Sequence, residues 1–150
     1  MRRDYPSSVT LPRPGIRPTE EVSCRMKAVR RRDTRPEVEV RRLLWKAGAR
    51  FRLCPRDLPG TPDIANKSAR WAVFVHGCFW HGHRNCKLAT VPKSNSAFWE
   101  AKLAANRSRD ARKALALRRL GYRVLVVWQC ALRDPAALVR RFSEAGVTKP

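Results

Sequence analysis

All three histidines of this 150-residue chain, His76, His81 and His83, fall inside the string His-Gly-Cys-Phe-Trp-His-Gly-His. Cys78 lies within that string and Cys86 just beyond it, so the spacing Cys78-x4-His83-x2-Cys86 offers three soft or borderline ligands on one short loop. Zinc takes four such ligands in a tetrahedron. Cys130, at the end of an apolar run far along the chain, is the candidate fourth. A metal held this way would tie the loop to a distant strand. Spacing alone admits His81 in place of His83. Cys24 and Cys54 have no histidine nearby and read as plain thiols.

A metal that assists phosphate chemistry wants hard oxygen ligands instead. Only 12 residues are Asp or Glu, so each can be weighed. Asp33 reads as a helix cap, and Glu100 and Asp110, with Lys or Arg at helical spacing, read as surface pairs. Asp63 and Glu37 remain. Asp63 follows a Pro-Gly-Thr-Pro turn and opens a strand, which would hold its carboxylate on a rigid element at a sheet edge. Glu37 begins a helix, where it either points toward that edge or simply complements the helix dipole. Phe79 and Trp80 stand between the histidines, and Trp99 lies in the first turns of a long helix. Such side chains wedge between base steps or pack a core, and wedging is cheapest where base pairing is already imperfect. Trp71 and Trp128, inside apolar strands, read as core.

The elements that must position these residues follow from period and punctuation. Asp33 and Thr34 offer cap oxygens before Pro36, and Val40, Leu43, Leu44 and Ala47 recur at helical spacing up to Gly48. Phe51–Leu53 reads as a short strand, and Asp63 with Ile64 and Ala65 starts another. Trp71–Val75 is a buried strand, 76–92 a structured loop, and Ser94–Leu120 a long helix ended by Gly121. Tyr122–Trp128 is a second apolar strand and Pro135–Phe142 a closing helix. The fold class is α/β, a mixed central sheet flanked by helices. Residues 1–22, with four prolines, read as a flexible basic arm before one domain over 23–150.

Charge narrows the partner. Thirty-three Lys and Arg against 12 acidic residues leave +21, which favours a polyanion, most often nucleic acid. No apolar run approaches the ~20 residues of a membrane span, and no apolar stretch follows Arg2 and Arg3 as in a signal peptide. A cytosolic monomer without a disulfide framework is expected. Charge and the Cys/His loop alone would equally suit a non-catalytic zinc module that binds DNA.

The motifs resemble those of the very short patch repair (Vsr) endonucleases of bacteria. The resemblance runs from about Ser23 to Arg133. It is carried by Arg32-Asp33-Thr34-Arg35-Pro36-Glu37, Leu58-Pro59-Gly60-Thr61-Pro62-Asp63, the His76–His83 string, Phe98-Trp99, Asn106-x3-Asp110 and Val127-Trp128-Gln129-Cys130-Ala131-Leu132. It implies a restriction-endonuclease-like fold of the PD-(D/E)XK type. It also implies nicking of double-stranded DNA 5′ to the mismatched T of a T:G pair, the product of 5-methylcytosine deamination. By this resemblance Asp63 binds Mg2+, with Val75 contributing its main-chain carbonyl where relatives can carry Thr. His81 would be the general base, and His76 and Glu37 would organise water at the metal and the phosphate. Cys78, His83, Cys86 and Cys130 would hold structural zinc, while Phe79, Trp80 and Trp99 would intercalate. A cytosine-5 methyltransferase and repair proteins are the implied functional associates. The strand that carries a Glu and a Lys in restriction-type cores here reads Ala72-Val73-Phe74-Val75-His76. A nickase of a restriction system with another target preference fits the same motifs.

Overall fold

The computed structural model describes residues 32–148 together with Gly15, Glu20, Glu21, Cys24 and Ala28. Apart from those few positions, the arm expected over 1–22 and its boundary at residue 23 lie outside the described residues.

From residue 35 on, the described residues form α1 (Arg35–Lys46), β1 (Arg52–Leu53), β2 (Ile64–Asn66), β3 (Trp71–His76), α2 (Ser96–Arg119), β4 (Arg123–Trp128) and α3 (Pro135–Glu144), with two short 3-10 turns between them. The sheet has the order β1-β2-β3-β4. β1, β2 and β3 pair antiparallel, whereas β3 and β4 are parallel, with Val75 opposite Val127 and His76 opposite Trp128. A parallel pair needs a crossover, and α2 supplies it. The sheet is therefore mixed and flanked by helices, as expected. The strands are shorter at the edge than their apolar runs suggest, with β1 reduced to Arg52–Leu53 and β2 starting one residue after Asp63.

Alternation along β3 sorts the molecule into layers. Trp71, Val73 and Val75 join Ile64, Leu125 and Val127 in a core shared with Val40 and Leu44 of α1 and Leu138 and Phe142 of α3. Ala72 and Phe74 face the other way, with Ala65, Leu58 and Leu117 of α2. His76 continues the series of Ala72 and Phe74, so the strand delivers it to the α2 side at the sheet's end. The expectation that Tyr122–Trp128 is uniformly apolar is corrected: β4 begins at Arg123, which is exposed, and its burial alternates along the strand. Trp128 falls on the α2 side and is half-buried rather than core.

Helix ends obey local chemistry. α2 stops where Gly121 adopts φ +81°. Tyr122 N–H then reaches Leu117 O at 3.1 Å and Gly121 N–H reaches Arg118 O at 2.9 Å, a Schellman pattern. At the start of α1, Thr34, rather than Asp33, holds the N-cap position, and it makes no side-chain cap hydrogen bond. Glu37 in the first turn reaches back instead. Its carboxylate accepts the Asp33 N–H at 3.0 Å and the Thr34 hydroxyl at 2.8 Å. The Asp33 carboxylate, one residue before the N-cap, accepts from Arg41 at 2.5 Å.

Candidate active site

A cleft of about 1140 Å3 opens at the end of the sheet. The start of α1, the turn before β2, the end of β3, the loop after it and the middle of α2 all contribute to its lining. Asp63, Glu37, Val75, His76 and His81 lie on it, brought together from positions 37 to 81. Cys54 lines it too, its thiol donating to the Asp63 carbonyl at 3.8 Å.

Asp63 is aimed by the sheet. Its Oδ2 accepts the Val75 N–H at 2.7 Å, so the main chain of β3 fixes the carboxylate. Burial disfavours its charge and lifts its pKa to about 6, against the opposing pull of that hydrogen bond. Glu37 adds a second negative charge in the same cleft and pushes Asp63 the same way. Glu37 is itself buried, at 6% exposure, and is held on its other side by Arg41 at 3.2 Å. Glu37 therefore both bonds the residues at the helix start and lines the cleft.

The loop after β3 folds back on itself. His81 N–H donates to Gly77 O at 3.2 Å and His83 N–H to Cys78 O at 2.9 Å. This returns the His81 ring over the His76 ring, stacked at 3.9 Å between centroids and 5° between planes. The Nδ1 of His81 meets Asp110 Oδ2 at 2.6 Å. Asp110 is thus not a surface pair: α2 turns this face toward the cleft, and the carboxylate is half-buried. Burial raises its pKa, but the His81 hydrogen bond and the nearby cationic charges outweigh this and leave it below the usual range. His76 is pushed down to about 4, first by burial and then by the charge of His81. It is neutral at working pH. The Asn106-x3-Asp110 spacing was the only sequence signal for this contact, because it places both residues one turn apart on one face. Asn106 Nδ2 donates to Trp80 O at 2.8 Å and pins the loop.

On the far side of the loop, Cys78, His83, Cys86 and Cys130 offer donor atoms all within 4.8 Å of one another. Cys130 Sγ lies 3.4 Å from His83 Nδ1. This cluster could hold a metal ion. Burial pushes the Cys78 thiol up to about 12, whereas the hydrogen bond from the Leu88 main chain leads the causes that lower Cys86. Trp128 links the two halves. Its ring stacks on His83 at 4.2 Å and meets His76 edge-on at 5.2 Å.

Phe79, Trp80 and Trp99 form one half-buried aromatic group, with centroids 5.0 Å apart for Phe79–Trp80 and 5.3 Å for Phe79–Trp99. Phe98 extends it, 5.5 Å from Trp99. The Lys102 ammonium sits 5.2 Å from the Trp99 ring and 5.4 Å from Phe98. Neither Phe98 nor Lys102 was singled out from the sequence as a contact residue.

Comparison with known proteins bears on this geometry. The family described as DNA mismatch endonuclease Vsr matches residues 17–88. A type II nicking enzyme, V.XorIIP, of Xanthomonas oryzae is 55% identical over 116 residues, covering 77% of this chain and 85% of the relative. The chain belongs to the Vsr family of DNA mismatch endonucleases. The DNA mismatch endonuclease Vsr of Escherichia coli is 44% identical over 111 residues, covering 74% of this chain and 70% of the relative. The type II nicking enzyme V.NmeAIP of Neisseria meningitidis is 38% identical over 125 residues, covering 83% and 89%. Membership of the Vsr family makes the chain a DNA endonuclease, a hydrolase of phosphodiester bonds. Among the described residues no helix is long and apolar enough to cross a membrane.

One prediction concerns the cost of this arrangement. The folded Vsr-family chain binds the Asp63 proton more tightly than the unfolded chain does, because the native pKa is about 6 against an ordinary 3.8. Ionisation therefore costs stability as pH rises between those values, on the order of 2–3 kcal/mol by linkage. Asn keeps an acceptor for Val75 N–H and carries no charge. In divalent-free buffer at pH 7.5, Asp63→Asn is expected to be more stable than wild type by about 2 kcal/mol, measured by urea unfolding. The advantage should shrink as pH falls through about 6, toward the ordinary value of 3.8. Equal stability at pH 7.5 would show that Asp63 is not desolvated.

Proposed function

We propose that this protein nicks one strand of double-stranded DNA 5′ to the mismatched T of a T:G pair, by Mg2+-dependent hydrolysis on a restriction-endonuclease-like core. The observation that carries the reading is the Asp63 carboxylate, aimed by Val75 N–H into the cleft that also holds the His81–Asp110 pair.

The donor set suits Mg2+. Asp63 and Glu37 bring hard carboxylate oxygens to one cleft, and small hard cations prefer such oxygens. Asp63 and the main-chain carbonyl of Val75 would hold the ion, with Glu37 and His76 ordering water and phosphate around it. When bound there, Mg2+ supplies charge that polarises the phosphoryl oxygens and stabilises the leaving oxygen.

The protein's own groups handle the proton. With Asp110 accepting from Nδ1–H of His81, the Nε2 lone pair is left to take a proton from the attacking water. The acidic partner steadies the imidazolium that results. His76, neutral because it is buried, stacks on His81 without repelling that new charge.

The second cluster suits zinc. A tetrahedron with Zn–S near 2.3 Å and Zn–N near 2.0–2.1 Å has an S···N edge of about 3.5 Å, and the Cys130–His83 separation is 3.4 Å. His83 is the zinc ligand in this reading and His81 the base. Cys78, Cys86 and Cys130 complete the set, which is closed and so shapes the loop without taking part in hydrolysis. Purified protein is expected to carry about one zinc per chain, and Cys86→Ala to lose it, by metal analysis. Folded, soluble wild-type protein with no zinc would remove this assignment.

Phe79, Trp80 and Trp99 would open the stack beside the mismatch. Their packing on one another beside Lys102 gives an aromatic face with a cation at its edge. T:G pairs arise when 5-methylcytosine deaminates, so a cytosine-5 methyltransferase is the functional associate of this reading.

A second reading keeps the chemistry and changes the target. Relatives at 55% and 38% identity are called type II nicking enzymes, which favours a preference set by flanking sequence. One panel separates the two readings and the non-catalytic zinc module. Labelled duplexes carrying each mismatch, in varied flanks, are incubated with and without Mg2+. Nicking 5′ to T of T:G, with Mg2+ only, is expected, and Asp63→Ala should bind the T:G duplex yet lose nicking. Binding without nicking by the wild-type protein would favour the module, and nicking of other pairs would favour the second reading.

A further inference from the structure

Lys113 enters the cleft from α2, one helical turn after Asp110. Its stem is pressed against the turn before β2. A Cβ added to Gly60 would lie 2.6 Å from Lys113 Cβ and 2.7 Å from its Cγ. Gly60 also has φ +75°, so the turn both needs and uses the missing side chain. The aliphatic stem is thereby fixed at its base, and the ammonium is left to reach the cleft. Its charge is felt on three sides: it favours ionised Asp63 and ionised Asp110 and disfavours protonated His76.

Among the described residues no ion pair consumes this charge. Asp110 is taken by His81 and Glu37 by Arg41. A phosphate arriving here meets Asp63, Glu37 and Asp110, all repulsive to it, and needs cationic charge at the same place. β3 carries no lysine, reading Trp71 to His76 without one, while Arg32, Arg56 and Lys102 line the same cleft from other elements.

We infer that Lys113 is a further catalytic residue, its ammonium contacting a non-bridging oxygen of the scissile phosphate from the α2 side. This rests on the nuclease reading of the cleft. Lysine suits the role as a compact point charge on a flexible stem. Its attraction for the phosphate strengthens as negative charge moves onto the oxygens in the transition state, so it lowers the barrier rather than merely binding DNA.

The test compares wild type with Lys113→Met, which keeps the stem packed beneath Gly60, and Lys113→Arg, which keeps the charge. Single-turnover nicking of a T:G duplex is followed at saturating protein and Mg2+, alongside duplex affinity and thermal unfolding. Lys113→Met is expected to nick about 100-fold more slowly at saturation. Its duplex affinity should change by less than about 5-fold, as for a single phosphate contact. Its unfolding temperature should stay near wild type, and Lys113→Arg should recover at least about 10-fold of the lost rate. A saturating rate for Lys113→Met within about 2-fold of wild type overturns the inference alone, since a transition-state contact must register there. An unstable Lys113→Met with an equally slow Lys113→Arg overturns it in favour of packing. Wild-type protein that never nicks overturns the nuclease reading and this inference with it.

Discussion

The hydrogen bond from Val75 N–H to Asp63 Oδ2, 2.7 Å long, is the constraint around which the site is organised. It joins the turn before β2 to the end of β3 and so fixes a carboxylate at one corner of the sheet. Leaving that oxygen buried without a donor would cost about 1–3 kcal/mol or more. Everything else in the cleft takes its place relative to this corner. The next residue, His76, lies on the α2 side, and the loop that follows returns His81 onto it. α2 then crosses to begin β4, parallel to β3, and in crossing presents Asp110 to His81.

A single short loop serves two centres because Trp128 stands between them. Parallel register sets Trp128 opposite His76, and its ring lies on His83 as well. The indole is a rigid plate shared by the cleft and the Cys/His cluster. Cys130, two residues on, belongs to that cluster. The end of β4 therefore steadies both, and a metal held by the cluster would stiffen the loop that carries His81 without entering its chemistry.

Much of this was legible in the sequence because it rests on local signals. Pro36, Gly48 and Gly121 punctuate helices whether or not anything packs on them, and the two apolar runs gave β3 and β4 their extent within a residue or two. The Cys/His cluster was legible because Cys78, His83 and Cys86 are close in sequence and of types that can share one metal ion. Asp110 and Trp128 were read wrongly for one reason: each was judged by its own element. Asp110 looked like a surface residue among arginines until α2 was laid over the sheet. Trp128 looked like core, but at the very end of β4 it is half-buried and packs on His83 and His76 instead. Asp33 proves to lie one residue before the N-cap Thr34, its carboxylate meeting Arg41 while Glu37 bonds the helix start. Lys113 has no sequence signal beyond its spacing from Asp110, and its relation to Gly60 is a tertiary contact.

The proposed mechanism divides labour between neighbouring groups that could each attract a cation. In that mechanism Asp63 would take the divalent ion, whereas His76, His81 and Asp110, whose donor atoms also lie within 4.8 Å of one another, would stay free to move a proton. Crystals of the protein on a T:G duplex, grown with Mn2+ in place of Mg2+, test this most directly through anomalous scattering. The account predicts an anomalous peak at the Asp63 carboxylate and the scissile phosphate, with His81 Nε2 free of metal. A peak bound by His81 and Asp110, with none at Asp63, would contradict it.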